Sequence, residues 1–242
     1  MGAPFFRFKQ FTVWHDRCGM KVGTDGVLLG AWCPLPSIPH ARVLDIGVGS
    51  GLITLMMAQR LQEQRNTFSI CGIDIDKGAV EQSRINFEQS PWSSHLISKE
   101  SSLQSFEAEK AFDLIVSNPP YFQNSLKNPN AARATARHTE TLSYRELICH
   151  SKRLLSNDGI LALVLPAEAE EDIVALGATY ELAPTHITYV HSKPGKSVKR
   201  LLIAFTPSNE RLFEAIKTHF YIESENSPRS EEYQQLTQAF YL

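Results

Sequence analysis

An apolar run, "DLIVSN" (113–118), ends in Asn118-Pro119-Pro120-Tyr121. Two consecutive prolines carry no backbone N–H donor and hold φ near one value, so this segment is rigid. It has an amide on one side and a phenol ring on the other. The Asn118 side-chain carbonyl and the Pro119 backbone carbonyl are two acceptors that a rigid segment fixes in place. Aimed at the N–H hydrogens of a planar nitrogen, they draw it toward sp³ geometry and free its lone pair. Fixing such groups before reaction is electrostatic preorganisation. Tyr121 offers a ring face for stacking, worth about 1–3 kcal/mol against a base. The four residues therefore point to chemistry at a planar sp² nitrogen. The plainer alternative is a strand followed by a Pro-Pro turn, with Tyr121 as a packing residue.

A second constellation lies upstream. "VLDIGVGSGLITL" (43–55) sets Gly47, Gly49 and Gly51 between an expected strand and an expected helix. Glycines permit a tight turn and close ligand approach, and the helix N-terminus offers free N–H groups. The dinucleotide pattern is G-x-G-x-x-G, whereas here it is G-x-G-x-G. Asp45 precedes the first glycine, where a carboxylate repels a pyrophosphate and suits an ammonium. S-adenosylmethionine carries an ammonium and a cationic sulfonium. Asp74 in "CGIDID" (71–76) ends the next expected strand, where it can accept both ribose hydroxyls. A generic turn for some other nucleotide is the alternative. In "LISKESSLQSF" (96–106), Ser102 stands where an acid is expected to meet the adenine amino group. Either that hydroxyl accepts instead, or adenine is held more weakly or by a backbone group.

These residues need strands and helices to carry them. Seven apolar runs read as strands: 42–47, 69–75, 94–100, 112–118, 159–166, 185–192 and 198–206. The intervals between the first five can hold crossover helices. Apolar residues fall at helical spacing over 51–64, and another helix is expected at 77–90. Ser143 stands three residues before Glu146, a capping-box pattern opening a helix that Asn157-Asp158-Gly159 is expected to close. Alternating strands and helices imply an α/β fold with a parallel sheet covered on both faces. The last two runs are separated only by "KPGKSV", which suits a hairpin, so the sheet is expected to end in an antiparallel strand. Residues 1–41 are expected to be an N-terminal extension packing on the catalytic site, and 42–242 the main domain. The extension is too aromatic, with Phe5, Phe6, Phe8, Phe11 and Trp14, to be disordered. Thr24 and Asp25 are expected to cap a helix starting at Gly26.

The formal net charge is −2, so any surface for a polyanion must be local. Residues 191–200 hold Lys193, Lys196, Lys199 and Arg200 without an acid, and 131–138 hold Arg133, Arg137 and His138 without one. Each patch is a candidate for phosphate contacts or a solvated basic loop. Cys18, Cys33, Cys71 and Cys149 are scattered with no CxxC, which implies neither a zinc site nor a disulfide framework. The eight histidines show no ligand spacing, so no metal is expected. No stretch reaches the ~18 apolar residues of a membrane helix, and no apolar leader opens the chain. A soluble, cytoplasmic protein without membrane contact is the expectation.

With "VLDIGVGSGL", "GIDID" and "DLIVSNPPYF" in this order, the chain resembles the class I S-adenosylmethionine-dependent methyltransferases. The Asn-Pro-Pro-Tyr tetrad resembles the branch acting on adenine N6 or a glutamine amide. "FTVWHDRCGMKVGTDGVLLGAW" (11–32), "FEQSPW" (87–92) and "LTQAFYL" (236–242) are similar to the bacterial tRNA1(Val) (adenine(37)-N6)-methyltransferase family, nearly end to end. The resemblance implies a Rossmann-like, seven-stranded, mostly parallel sheet with one antiparallel strand in a C-terminal hairpin. It implies methyl transfer from S-adenosylmethionine to N6 of adenine 37 in the anticodon stem-loop of tRNA. Asn118, Pro119, Pro120 and Tyr121 would be catalytic. Lys21, Thr24, Asp45, Gly47, Gly49, Gly51, Asp74, Ile75, Ser102 and Asn118 would meet the cofactor, though Lys21 is also readable as an RNA contact or a solvated lysine. Arg133, Arg137, Lys193, Lys196, Lys199 and Arg200 would meet RNA. The alternative is a protein-glutamine N5-methyltransferase acting on a release factor or ribosomal protein. That family usually carries an N-terminal helical bundle, for which 1–41 is too short and too aromatic.

Overall fold

A computed structural model describes residues 3–19, 21–64, 67–120, 142–208 and 214–242. All seven expected strands form: β3 (His40–Ile46), β4 (Thr67–Asp74), β5 (Leu96–Glu100), β6 (Phe112–Ser117), β7 (Leu155–Pro166), β8 (Leu182–His191) and β9 (Val198–Pro207). They are preceded by β1 (Phe5–Arg7) and β2 (Thr12–Trp14) and followed by β10 (Ile216–Tyr221). β1 and β2 pair only with each other. The rest form one sheet in the order β10-β8-β9-β7-β6-β3-β4-β5.

The sheet thus has eight strands where seven are expected. The added strand, β10, pairs in parallel with β8 at the edge, and four of its six residues are exposed. An edge strand with so little burial carries no alternating apolar signal. A second correction concerns direction. β9 is antiparallel, but it lies inside the sheet between β7 and β8 rather than at its end. β8 therefore runs the same way as β7, and the C-terminal ends of β3 to β8 share one edge, β9 excepted.

Both faces of the inner sheet are covered, which is why β3, β4, β6, β7 and β9 read as near-continuous apolar runs. Val43, Leu114, Val116, Ala162 and Val164 face a core completed by α1 (Thr24–Trp32) and α2 (Leu52–Glu63). Leu44, Ile46, Ile115, Leu161 and Leu163 face the opposite way, onto α4 (Tyr144–Leu154) and α5 (Glu170–Thr179). Each fully buried leucine or valine contributes about 1.5–3 kcal/mol. α3 (Lys77–Glu88) covers β4 and β5, and α6 (Glu231–Thr237) packs on α1 and β10.

Helix ends refine the sequence expectations. α4 opens with the expected capping box: Glu146 N–H donates to Ser143 Oγ at 3.2 Å and Ser143 N–H to Glu146 Oε2 at 2.9 Å. It stops at Leu154, not at Gly159; residues 155–159 already belong to β7, where the register with β6 shifts. α1 begins at Thr24 with Gly23 as its N-cap, so neither Thr24 nor Asp25 caps it from the side chain.

Candidate active site

The three loop glycines are held at φ of +73°, +52° and +81° for Gly47, Gly49 and Gly51, a region that side chains other than glycine rarely occupy. The turn they make is bonded to the end of the next strand. Gly47 and Val48 N–H both donate to Ile73 O, at 2.9 and 3.0 Å. Val48 packs so tightly on Gly72 that a Cβ there would lie 2.4 Å from its Cγ2. The loop is therefore one rigid piece with β4.

Asp45 sits at the base of this loop and is 1% exposed. Its Oδ2 accepts Thr54 N–H at 3.2 Å and Thr54 Oγ1–H at 2.7 Å, which caps the first turn of α2 from across the loop. Its Oδ1 is buried without a hydrogen-bond partner. Burial pushes the carboxyl up to about 7, opposed by the two Thr54 hydrogen bonds, while the Asp74 charge raises it slightly further. A buried, orphaned carboxylate oxygen is costly, and an ammonium ligand would satisfy it.

Asp74, at the end of β4, is part-buried. One of its oxygens accepts Gly49 N–H at 3.0 Å and the other accepts Asp76 N–H at 3.0 Å. Each oxygen keeps a lone pair for a diol. Ile75 follows it and is 56% exposed, an apolar face open beside the carboxylate. Ser102 is differently used. Its Oγ accepts Ser105 N–H at 3.2 Å and lies 2.8 Å from Ser105 Oγ, closing its own turn. Lys21 and Thr24 are exposed.

β6 delivers Asn118 to the same edge. Ser117 Oγ–H donates to Ile46 O at 2.8 Å and ties the two strand ends together. Asn118 is part-buried, Pro119 buried and Pro120 exposed. The Asn118 amide lies against α1: a Cβ on Gly26 would be 3.9 Å from its Nδ2 and 3.1 Å from Leu52 Cδ2. Gly26 and Gly30, one turn apart, let α1 approach α2 closely. Tyr121 lies outside the described residues.

Of the expected RNA contacts, Arg133 and Arg137, with His138, lie outside the described residues. Lys193, Lys196 and Lys199 are exposed. Lys193 to Lys196 form the β8–β9 turn, with Lys196 N–H donating to Lys193 O at 3.2 Å and Gly195 at φ +75°. That turn and Asn118 lie at the same edge of the sheet, and because Ser117 aligns through Leu163 and Ile203 with Ile187, the turn projects beyond the level of Asn118. Arg200 is engaged elsewhere: its Nε lies 2.8 Å from Asp25 Oδ2 in α1. Among the described residues, no group of three or more His, Cys, Asp or Glu side chains is placed to hold a metal. No helix among them is long and apolar enough to cross a membrane.

Some site residues carry no motif. Asn86 of α3 accepts Trp14 N–H at 3.0 Å and donates to Trp14 O and to Ser50 O, both at 2.8 Å. It joins β2 to the glycine loop. Gln82 Oε1 accepts Arg17 N–H at 2.8 Å, and Arg17 O lies against Gly78. Residues 14–17 thus run along α3 beside the end of β4. Buried Asn and Gln within an amphipathic helix are the only sequence signal for these ties, and they fit many other roles.

The "Methyltransferase small domain" family model matches residues 28–174. A tRNA1(Val) (adenine(37)-N6)-methyltransferase of Phocaeicola vulgatus is 45% identical over 242 residues, 100% of this chain and 99% of that one. A protein of the same name from Aeromonas salmonicida is 44% identical over 239 residues, 98% of this chain and 97% of that one. Among solved structures, a predicted O-methyltransferase from Agrobacterium tumefaciens superposes with a TM-score of 0.67 at 16% identity, covering 89% of this chain and 96% of its own. The ribosomal protein L11 methylase of Lactobacillus delbrueckii gives 0.51 at 16% identity, covering 75% and 76%. These two likenesses concern the fold. The family match and the full-length relatives go further: the chain belongs to the methyltransferase small-domain family and, within it, to the tRNA1(Val) (adenine(37)-N6)-methyltransferases.

Proposed function

We propose that this chain transfers a methyl group from S-adenosylmethionine to N6 of adenine 37 in the anticodon loop of tRNA1(Val). The observation that carries the chemistry is the meeting, at one sheet edge, of Asn118-Pro119 with the orphaned Asp45 oxygen and Asp74. Full-length similarity to relatives named for that reaction supports the tRNA substrate. Bound S-adenosylmethionine supplies an electrophilic methyl group on a cationic sulfur.

The residues divide the work as follows. Asp45 takes the cofactor ammonium on Oδ1, and Asp74 takes the ribose hydroxyls. The bent backbone at Gly47, Gly49 and Gly51 leaves room beside them, and exposed Ile75 would meet the adenine. Ser102, whose hydroxyl closes its own turn, contributes through that turn. Asn118 Oδ1 and Pro119 O accept the two N–H hydrogens of the target amine. Alignment supplies most of the rate enhancement, because the amine must sit in line with the methyl group. Pro119 and Pro120 hold these acceptors still, and Tyr121 stacks on the extruded base. The transient aminium is acidic and sheds its proton without a strong base. Lys193, Lys196 and Lys199, together with Arg133 and Arg137, meet tRNA phosphates, and Lys21 lines the mouth of the site. The N-terminal segment before β3 packs on the catalytic site, and the cytoplasmic tRNA pool supplies the substrate.

The test is tritiated methyl transfer from S-adenosylmethionine, offered bulk tRNA in one arm and a release factor in the other. Nucleoside analysis of the tRNA is expected to yield N6-methyladenosine. Label in the release factor, with none in the tRNA, would replace this reading with glutamine methylation.

A further inference from the structure

A two-stranded ribbon with one face on the core normally turns polar residues outward. β1–β2 does not. Its register, Phe5↔Trp14, Phe6↔Val13 and Arg7↔Thr12, puts Phe5, Trp14, Arg7 and Thr12 on one face. The other face holds buried Val13, and Phe6, whose ring lies 4.7 Å from Phe8 and 5.9 Å from Tyr241. On the outer face the Phe5 and Trp14 rings are paired at 4.9 Å; Phe5 is 38% exposed and Trp14 half-buried. Around them positive charge predominates. Residues 3–22 carry Arg7, Lys9, Arg17 and Lys21 against Asp16 alone. Arg7 and Arg17 are exposed, and Lys9 is spent on Gln238 O. α3 beneath is balanced, with Lys77 and Arg84 beside Glu81 and Glu88.

The ribbon's backbone is tied to the reactive edge. Asn86 binds the Trp14 backbone and the Ser50 carbonyl of the glycine loop with one amide. Arg17 then passes the start of α3, and the chain reaches α1, whose Gly26 faces the Asn118 amide. Exposed rings interleaved with cations are how single-stranded nucleic acid is held: bases stack on the rings and phosphates meet the cations.

We infer that the outer face of β1–β2 docks the substrate RNA beside the target base, a nucleobase stacking on the Phe5–Trp14 pair while Arg7 and Arg17 meet phosphates. This rests on the reading of the substrate as tRNA. The test measures binding of an unmodified full-length valine tRNA transcript by fluorescence anisotropy, with S-adenosylhomocysteine titration as the control for an intact site. Phe5→Ala is expected to weaken tRNA binding about tenfold and Phe5→Tyr to restore it. Arg7→Gln is expected to flatten the dependence of log K on log salt by about 0.7. Turnover at saturating tRNA and affinity for S-adenosylhomocysteine stay at wild-type values. If the wild type methylates tRNA and both Phe5→Ala and Arg7→Gln bind it unchanged, the docking surface is wrong and the proposed function stands. If the wild type neither binds nor methylates tRNA, both fall.

Discussion

Arg200 and Asp25 join two parts of the molecule that share no local sequence: Nε lies 2.8 Å from Oδ2, across 175 residues. One is the inner antiparallel strand β9, the other the first turn of α1. The next residue of α1 is Gly26, against which the Asn118 amide rests. The ion pair therefore braces the helix that backs the proposed acceptor, and Arg200 acts through Asp25 and α1.

Arg200→Ala separates a brace from an RNA contact. The pair is partly exposed, so its loss is expected to cost less than about 1 kcal/mol of stability. Loosening α1 beside Asn118 is expected to lower kcat at least about tenfold, since small misalignments are costly in transfer reactions. KM for tRNA and the salt dependence of binding are expected to hold, and Arg200→Lys to recover part of the rate. A raised KM with kcat intact would return Arg200 to the RNA surface.

Asp45 predicts a pH dependence. In the ligand-free protein its carboxyl sits near 7, above the ordinary carboxylate value of about 4. The stability it contributes is full below about pH 4, is lost as pH rises toward 7, and is level beyond. Binding of an ammonium needs the charged form, so the sign reverses for the ligand. Affinity for S-adenosylhomocysteine is expected to rise about tenfold per pH unit up to about 7 and then flatten. Thr54→Val removes one of the bonds that lower the value and shifts the break upward. Calorimetric titration from pH 5.5 to 8 checks this, and a flat profile would contradict the assignment.

Asn118→Ala removes one acceptor and leaves Asp45, Asp74 and the glycine loop intact. Single-turnover methylation is expected to fall by about 10²-fold or more, the loss usual for one preorganised hydrogen-bonding group. Affinity for S-adenosylhomocysteine is expected to change little. Collapse of that affinity would make Asn118 a cofactor ligand first.

Much of this edge was legible in the sequence because its devices are local. A glycine triplet needs left-handed φ at three neighbouring positions, and an acid at a strand end needs only that strand. β3, β4, β6, β7 and β9 showed themselves because burial on both faces leaves near-continuous apolar runs. β10 hid because an exposed edge strand has no such run. The end of α4 hid because Asn157-Asp158-Gly159 resembles a helix stop, and here it serves a register shift between β6 and β7. The Asp25–Arg200 pair, the orphaned Asp45 oxygen and the Asn86 tie depend on which distant segments meet. No spacing rule reaches across 175 or 72 residues.

Asn86 makes the strongest of these non-local claims. It is buried, and one amide satisfies both backbone groups of Trp14 and the carbonyl of Ser50. Asn86→Ala leaves those three groups to find water or remain unpaired, at about 1–3 kcal/mol for each one left buried. Melting is expected to shift downward by several degrees. If stability alone were at stake, ligand saturation would restore a normal rate. The tie reaches the glycine loop, so affinity for S-adenosylhomocysteine is also expected to weaken several-fold, with faster amide exchange at residues 13–17. Asn86→Asp keeps the acceptor for Trp14 N–H but loses both donors, and is expected to fall no closer to wild type than halfway. Unchanged cofactor affinity in a destabilised Asn86→Ala protein would confine the residue to holding the ribbon.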